Sequence, residues 1–307
     1  MNDKPFWEDF IQTKPWSIVR RPYIIAEIGI NHNGDIKVAK QLIKSAYQCG
    51  CQAVKFQKRS PELCVPKHQR NILRETPWGL IPYIEYRHKI EFERKEYDEI
   101  DSYCRKLGLD WFASAWDIPS FEFLRKYNFP YNKIASAILT NHQLVEQIAL
   151  EKKMTFISTG MSEYSDIDYV VKLFRDIGCP FILMHSVSEY PLSNDKTNLR
   201  QINALQSRYR CPVGNSGHES TMLPSLIAAM MGAVAIERHF TINRAMWGTD
   251  QAASLEPRGM TLLINYIHQI PCILGSGERI VTEQERINAH KLRVFMEAGI
   301  KNLSGAA

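Results

Sequence analysis

Short apolar runs alternate with longer amphipathic segments from residue 22 onward. Each apolar run is rich in β-branched residues and ends in a polar or Gly/Ser-containing turn, and a segment with apolar residues every three or four positions follows. The first pattern predicts buried strands, and the second predicts helices that cover them. The eight predicted strands are Tyr23–Ile30, Ala53–Gln57, Asp110–Ala115, Lys133–Ser136, Thr155–Thr159, Phe181–His185, Val213–Ser216 and Val234–His239.

Repeated strand–helix units are typical of a parallel sheet covered by helices. Eight such units suit closure into a (β/α)8 TIM barrel, whereas an open doubly wound sheet usually has fewer strands and often a GxGxxG sequence at its first turn. Because the first turn reads Asn31-His32-Asn33-Gly34, we predict the α/β TIM barrel. The predicted helices are Ile36–Cys49, Phe92–Leu107, Ser120–Lys126, Asn141–Lys152, Ile167–Ile177, Thr197–Tyr209, Thr221–Met231 and Met260–Ile273.

Two segments lie outside this alternation. Residues 1–22 are rich in Phe and Trp, which need a surface to bury against, so we predict an N-terminal extension that caps the bottom of the barrel. The connection 58–90 follows the second strand at the carboxyl end, where barrel enzymes build active sites and lids. The expected organisation continues with a catalytic barrel over 23–282 and a C-terminal helix and tail over 283–307.

The composition narrows the possible functions. The chain is 45% hydrophobic and 23% charged, which is typical of a folded globular protein. Its formal net charge is +5, but basic and acidic residues are interspersed, so nucleic acid is not an expected partner. We expect no signal peptide and no membrane span, since no apolar stretch of about 18 residues occurs. The seven cysteines show no CxxC spacing, which favours reduced thiols in the cytoplasm.

Polar residues at the carboxyl ends of the predicted strands could carry the chemistry, because these ends converge on one mouth of a barrel. Lys55 and Lys133 lie in otherwise apolar strands, and burying an unpaired ammonium is costly. Serines end several strands and offer donors for phosphate and carboxylate oxygens. This pattern predicts a small substrate with two anionic groups. His218 and His239 end neighbouring strands and suit a divalent metal with open positions, although two histidines alone make a weak site.

Each of these residues also has an ordinary structural explanation. A serine at a strand end is usually a satisfied turn hydroxyl, and Lys55 could pair with Glu27. We expect His185 to be a hydrogen-bonded core histidine and the charged run 91–99 to be a solvated helix face. Convergence of many such residues on one rim is what favours a ligand site.

Motifs at these strand ends resemble the sialic acid synthase family, which includes N-acetylneuraminate, legionaminate and pseudaminate synthases. The resemblance covers roughly residues 22–295, with agreement in order and spacing. The motifs are Ile25-Ala-Glu27-Ile-Gly-Ile-Asn31-His32-Asn33-Gly34, Ala53-Val-Lys55-Phe-Gln57, Lys133-Ile-Ala-Ser136, Ile157-Ser158-Thr159-Gly160-Met161-Ser162, Ser188-Glu-Tyr190-Pro191, Gly214-Asn-Ser216-Gly-His218, Ile236-Glu-Arg-His239-Phe-Thr241, and Asp250 followed by Ala253-Ser254-Leu255-Glu256-Pro257.

The resemblance implies an enzyme that condenses phosphoenolpyruvate with an N-acetylmannosamine-like aldose to give a nonulosonate-like 3-deoxy-2-keto sugar acid and phosphate. It also implies a homodimer and a divalent metal, Mn²⁺ or Mg²⁺, held by His218 and His239. Glu27 would orient or deprotonate water or a sugar hydroxyl. The implied catalytic residues are Glu27, Lys55, Lys133 and Asp250. The residues implied for phosphoenolpyruvate are Lys55, Gln57, Ser114, Lys133, Ser136, Ser158, Ser188, Tyr190 and Ser216.

Three departures from the family pattern concern the part of the site that would bind the aldose, which is the acceptor in this reaction. Ile138 stands where relatives usually carry an acid, and Gly217 and Glu219 flank His218 where Asp and Thr are common. The small antifreeze-like domain that follows the barrel in many relatives is expected to be absent. We expect the connection 58–90 to cover the mouth instead. The acceptor-side candidates are Arg74, Asp250 and Gln251.

Two alternatives stay open. The first is the chemistry of octulosonate or heptulosonate phosphate synthases, which use phosphorylated aldoses. The second is a barrel that binds a sugar acid without catalysis, against which the completeness of the strand-end set argues.

Overall fold

The structure is a computed structural model that describes residues 21–293. Its ten strands are β1 (Tyr23–Gly29), β2 (Ala53–Lys58), β3 (Leu73–Thr76), β4 (Gly79–Pro82), β5 (Asp110–Ala115), β6 (Asn132–Ile134), β7 (Thr155–Ser158), β8 (Phe181–His185), β9 (Val213–Gly217) and β10 (Ala235–His239). Eight of them form one parallel sheet in the order β5-β2-β1-β10-β9-β8-β7-β6, and its two ends, β5 and β6, lie side by side. The sheet is therefore a nearly closed barrel, and the predicted TIM barrel is confirmed.

Helices follow the barrel strands and bury the apolar stripes that their sequence periods predict. In the first helix, Leu42 and Ala46 are buried, Asp35 accepts the N-terminal capping bond, and Gly50 ends the helix at φ 91°. The helices are α1 (Ile36–Cys49), α2 (Pro61–Cys64), α3 (Tyr83–Ile90), α4 (Arg94–Leu107), α5 (Ile118–Leu124), α6 (His142–Leu150), α7 (Tyr164–Ile177), α8 (Arg200–Tyr209), α9 (Leu223–Met230), α10 (Pro257–Leu274) and α11 (Glu283–Leu292). Short 3-10 helices lie at Lys67–Gln69, Arg125–Tyr127, Ser136–Ile138, Asn194–Lys196 and Gln251–Ala253.

The connection between β2 and α4 has more structure than the sequence pattern predicted. It contains α2, the antiparallel hairpin β3–β4, and α3. Tyr86 and Ile90 of α3 are buried against Ile30, which follows β1, and Trp247 packs on the same cluster. These contacts place α3 at the carboxyl end of the barrel, as predicted for this segment.

The remaining predictions about organisation concern the ends of the chain. The predicted extension 1–22 lies outside the described residues except for its last two positions. The chain divides into two compact units, the first ending at Ile270 and the second beginning at Pro271. In the second unit, Thr282 and Glu285 form a capping box at the start of α11. Within the described range no helix is long and apolar enough to cross a membrane.

Candidate active site

Four buried charged side chains meet at the carboxyl end of the barrel. Lys55 of β2 lies opposite Glu27 in the β1–β2 register, and its Nζ atom is 2.7 Å from Glu27 Oε2. Glu237 of β10 places its Oε1 atom 3.6 Å from Lys55 Nζ and 3.7 Å from the Nζ atom of Lys133 on β6. Two ammonium groups are thus balanced by two carboxylates, which offsets the cost of burying each charge.

Burial and mutual attraction shift the pKa values of these groups. Burial raises the pKa of Glu27 to about 7, although Lys55 opposes this shift. Burial lowers the pKa of Lys133 to about 8 against the attraction of Glu237. Burial alone would raise the pKa of Glu237, but Lys133 and Lys55 bring it below its ordinary value. Glu27 and Lys133 can therefore each gain or lose a proton near neutral pH, and this property is common in catalytic groups.

Serine hydroxyls surround the two lysines. Lys55 Nζ donates to Ser114 Oγ at 3.3 Å, and Lys133 Nζ donates to Ser158 Oγ. On the opposite side, Ser216 Oγ donates to Glu237 Oε1 at 3.1 Å. The structure thus brings together the lysines and these three predicted serines.

Two further serine hydroxyls lie close against Gly160. A Cβ atom added to Gly160 would lie 2.5 Å from Ser188 Oγ and 2.7 Å from Ser136 Oγ, so both hydroxyls point toward the bare glycine. Ser188 Oγ is buried and finds no hydrogen-bond partner among the described residues. Gly160 lies two residues after Ser158, whose hydroxyl accepts a hydrogen bond from Lys133. A small cradle with unmet hydrogen-bonding capacity therefore lies beside a buried cation, as an anion site requires.

Gln57 and Tyr190 were also predicted for this site, and they lie in different parts of it: Gln57 beside Glu27, and Tyr190 beside the two histidines. Gln57 Nε2 donates to Glu27 Oε1 at 2.7 Å, so Gln57 holds the carboxylate that also contacts Lys55. Tyr190 is half-exposed, and the centre of its ring lies 4.1 Å from that of His218 and 5.8 Å from that of His239. Tyr190 thus forms a wall beside the histidines.

His218 and His239 form a buried pair with ring centres 5.5 Å apart. The Nδ1 atom of His218 lies 2.7 Å from the Val187 carbonyl oxygen; donation through Nδ1–H would leave Nε2 as the lone-pair nitrogen. Burial lowers the pKa of His218 to about 4 and also lowers that of His239, which favours the neutral, metal-binding imidazoles. His239 Nδ1 lies 3.7 Å from Asp250 Oδ2 and has no hydrogen-bond partner in the described part of the chain.

These side chains fit a divalent ion that keeps open positions for substrate or water. Across residues 21–293 no group of three or more His, Cys, Asp and Glu side chains is arranged as a metal site. Two histidine ligands would leave the other positions of such an ion open to substrate or water.

The predicted acceptor-side residues are spread around the mouth. The guanidinium of Arg74, on β3, stacks 3.9 Å from the ring centre of Tyr83. Gln251 is buried and donates to the Asn31 carbonyl oxygen at 3.3 Å. Ile138, where an acid is usual, is buried in the main apolar core. Contacts of Arg74, Asp250 and Gln251 with a sugar stay predictions.

Two expectations for single residues have clear outcomes. His185 Nε2 lies 2.8 Å from the Thr197 carbonyl oxygen, so the prediction of a hydrogen-bonded core histidine is confirmed. The prediction that residues 91–99 form a solvated face was wrong at Glu91. The Glu91 side chain is 5% exposed and lies 3.2 Å from Arg59 Nε and 3.4 Å from Arg87 Nη2. Packing of α3 buries this carboxylate, which periodicity alone does not reveal.

Glu237 lies near the end of the same strand as His239 and was a candidate on that ground, but no role was predicted for it, although it contacts both lysines. A signal was present, because residues 237 and 239 are two apart on one strand and so face the same side of the sheet. Since His239 was predicted at the mouth, the same alternation places Glu237 one layer deeper.

Comparisons with known proteins agree with this geometry. The sequence profile of the NeuB family matches residues 42–279. The N-acetylneuraminate-9-phosphate synthase of Mus musculus is 33% identical over 286 residues, which are 92% of this chain and 79% of the relative. The N,N'-diacetyllegionaminic acid synthase of Campylobacter jejuni is 30% identical over 91% of this chain and 85% of its own length. The crystal structure of an N-acetylneuraminic acid synthetase from Leptospira borgpetersenii, in complex with citrate, has a TM-score of 0.78 at 31% identity and covers 90% of this chain and 93% of that one.

Proposed function

The chain belongs to the NeuB family, and from this premise we propose that it condenses phosphoenolpyruvate with an N-acetylmannosamine-like aldose. The products are a nonulosonate-like 3-deoxy-2-keto sugar acid and phosphate. Relatives are named as synthases of the sialic acid type, so the chain is an enzyme of the phosphoenolpyruvate-using class that forms carbon–carbon bonds. The observation that carries the finer proposal is the pair of buried lysines beside a cradle of serine hydroxyls.

Phosphoenolpyruvate carries a carboxylate and a phosphate, and the site offers donors for both. Lys133 Nζ donates to Ser158, and the hydroxyls of Ser136 and Ser188 lie against Gly160, two residues further along the chain. Lys55 supplies a second cation 3.3 Å from Ser114. When the anionic groups bind, the ammonium ions gain partners without leaving the site, so little reorganisation is needed.

The reaction forms a bond between C3 of phosphoenolpyruvate and the aldehyde carbon, and the aldehyde oxygen takes up a proton. Water adds to C2, and phosphate leaves from the resulting tetrahedral intermediate as the C–O bond breaks. Glu27 is the group that can move a proton here, because its pKa is about 7 and Gln57 and Lys55 hold it in place. Glu237 lies within 3.7 Å of both ammonium groups and favours their charged forms.

A divalent metal, Mn²⁺ or Mg²⁺, belongs to this proposal, with His218 and His239 as its protein ligands and Asp250 close by. When bound, the ion would act as a Lewis acid toward the aldehyde. The unpaired thiols within the described range are consistent with a reducing cytoplasm. A cytoplasmic homodimer completes the proposal.

The test is phosphate release from phosphoenolpyruvate across a panel of aldoses, with mass detection of the product. We expect phosphate only when an aldose and Mn²⁺ or Mg²⁺ are both present, and a product that contains the aldose plus the three-carbon unit. Lys133→Ala should abolish turnover, whereas Lys196→Ala, at an exposed lysine paired with Glu189, should leave it unchanged. Turnover in Lys133→Ala equal to that of wild type, or release of phosphate without any aldose, would contradict the proposal.

A further inference from the structure

The loop that follows β10, residues 240–254, carries Asp250 beside His239. The loop returns to the end of the strand, because Leu255 N donates to the His239 carbonyl oxygen at 2.8 Å. Between these points the loop runs over the surface, and residues 243–246 are exposed. Exposed loops are more mobile than the elements that they connect. The Asp250 carboxylate therefore stays 3.7 Å from His239 Nδ1 only if other contacts hold the loop in place.

Asn31 and Asn33, in the turn after β1, hold this loop on both sides of Asp250. Asn33 Nδ2 donates to the Trp247 carbonyl oxygen at 2.8 Å, three residues before Asp250. Asn31 Nδ2 donates to Ser254 Oγ at 2.8 Å, and Ser254 Oγ donates to the Asp250 carbonyl oxygen at 2.7 Å. Asn31 thus reaches Asp250 through a single serine, while Asn33 fixes the part of the loop that leads up to it.

The turn that carries these asparagines is itself firmly held. Asn31 is 1% exposed, and it makes two more contacts with the loop: its Nδ2 donates to the Phe240 carbonyl oxygen at 2.9 Å, and its own carbonyl oxygen accepts from Gln251 Nε2 at 3.3 Å. The turn also packs closely on α3, since a Cβ added to Gly34 would clash with the Lys89 carbonyl oxygen. A buried turn at the end of a barrel strand is a suitable support for an exposed loop.

In both asparagines the contacts are made by the amide nitrogen. A backbone carbonyl oxygen only accepts hydrogen bonds, so the amide nitrogens must face Phe240 and Trp247. The amide oxygens of Asn31 and Asn33 are buried and have no hydrogen-bond partner among residues 21–293. Within that range, the side-chain hydrogen bonds of both residues therefore go to the β10 end and its loop.

We infer that Asn31 and Asn33 are positioning residues that hold Asp250 beside His239 and thereby strengthen the binding of the divalent ion. The inference rests on the proposed function, which assigns His218 and His239 to that ion. A carboxylate beside a metal-binding imidazole orients the ring and adds negative charge near the ion, and loss of such a partner weakens metal binding about 10- to 100-fold. The asparagines act on the ion only through Asp250, so their effect depends on its carboxylate.

The first test is Mn²⁺ binding to the chelator-treated protein, followed by the electron paramagnetic resonance signal of free Mn²⁺, which needs no turnover. Asn33→Gly removes the amide and keeps the left-handed backbone of this position, φ 49°, without strain. We expect Asn33→Gly and Ser254→Ala each to raise the Kd for Mn²⁺ at least fivefold. The control is Asn203→Ala, since Asn203 Nδ2 donates to Gln206 Oε1 at 3.2 Å on the exposed side of α8. It should keep the Kd within twofold of wild type.

A double-mutant cycle with Asp250→Asn tests whether the asparagines act through this carboxylate. Asp250→Asn alone should raise the Kd for Mn²⁺ at least tenfold. Adding Asn33→Gly to it should change the Kd less than twofold, because no charge is left to position. Asn31→Ala should behave like Asn33→Gly, and Ser254→Ala tests the same link if Asn31→Ala does not fold. A fivefold loss on Asn33→Gly both with and without the Asp250 carboxylate would overturn the inference, as would an unchanged Kd in Asn33→Gly and Ser254→Ala.

Hydrogen exchange of the metal-free protein, followed by mass spectrometry, separates this inference from the proposed function. Asn33→Gly and Ser254→Ala should speed exchange in residues 240–254 at least threefold and leave exchange in α7 unchanged. If this result and the pattern of Mn²⁺ binding hold but no aldose gives turnover, the proposed reaction fails and the positioning role stands. Normal turnover together with a Kd for Mn²⁺ that Asp250→Asn leaves unchanged would overturn the positioning role and keep the reaction.

Discussion

Lys133 combines a buried position with a pKa lowered to about 8, chiefly by burial. If its ammonium binds phosphoenolpyruvate, kcat/KM for this substrate should fall as the pH rises through about 8, because the neutral amine no longer attracts the anion. In Lys133→Arg the group stays protonated, so we expect lower activity with an alkaline limb moved to higher pH. The measurement is the pH profile of kcat/KM for both proteins. An alkaline limb at the same pH in Lys133→Arg would assign that limb to another group.

Gly160 lies against the serine hydroxyls that we assign to an anionic group of phosphoenolpyruvate. The Cβ of Gly160→Ala would lie 2.5 Å from Ser188 Oγ and 2.7 Å from Ser136 Oγ, so it would fill the cradle. We expect the KM of phosphoenolpyruvate to rise at least tenfold with little change in the KM of the acceptor. Gly259→Ala is the control, because its Cβ meets only ordinary contacts at 3.6 and 4.0 Å inside α10. Equal substrate KM values in both variants would remove the cradle from the site.

The sequence was informative about residues whose type is unusual for their surroundings. Lys55 and Lys133 stood out because a lysine within an apolar strand needs a partner, and the structure supplies Glu237 for both. Arg59 and Glu91 did not stand out, because each lies in a charged stretch of sequence. The Glu91 side chain is buried against Arg59 and Arg87, and Arg87 lies on α3, whose position is set by contacts distant along the chain.

At the scale of elements, a buried ion pair joins the carboxyl ends of β9 and β10, where the two histidines lie. Arg238 on β10 lies 3.0 Å from Glu219, which follows β9, and it also donates to Ser225 Oγ at 2.9 Å. Arg238 directly precedes His239, and Glu219 directly follows His218. The pair therefore fixes the spacing of the two histidines from the outer side of the barrel.

We expect Glu219→Gln to lower the free energy of unfolding by about 3 kcal/mol, because it leaves the buried Arg238 without a counter-charge. Chemical denaturation measures the change. The control is Asp168→Asn, which breaks the exposed pair with Arg208 and should leave the denaturation midpoint nearly unchanged. Similar midpoints for Glu219→Gln and wild type would show that the ion pair does not stabilise the barrel.

The regular elements were largely predictable, and the connection 58–90 was not, for one physical reason. The spacing of apolar residues within a segment distinguishes a strand from a helix. For this reason α1 and β5 were predicted with their observed bounds. The hairpin β3–β4 and α3 are short, and α3 depends on packing of Tyr86 against Trp247, with ring centres 5.1 Å apart. Local patterns cannot report a contact between segments so far apart in sequence.

At the scale of the whole molecule, barrel closure creates the site, since β1, β2, β6 and β10 each contribute only one charged group to its centre. The histidine pair depends on closure in the same way, because His218 directly follows β9 and His239 ends β10. A ligand that bridges such residues binds only the folded state. It should therefore stabilise the fold, by about 2.7 kcal/mol at a concentration of about 100 times its Kd.

If His218 and His239 bind the ion as proposed, Mn²⁺ should raise the Tm of the chelator-treated protein by several degrees and restore its turnover, because such a ligand binds only the folded state. In His218→Ala and His239→Ala, the Mn²⁺-dependent shift in Tm should be lost even if the metal-free Tm stays close to that of wild type. His88→Ala is the control, since His88 is exposed and pairs with Glu62. Each variant is compared with itself with and without the ion, so altered intrinsic stability does not enter the comparison. If both active-site variants kept the wild-type shift, the ion would bind elsewhere and the histidines would have a structural role.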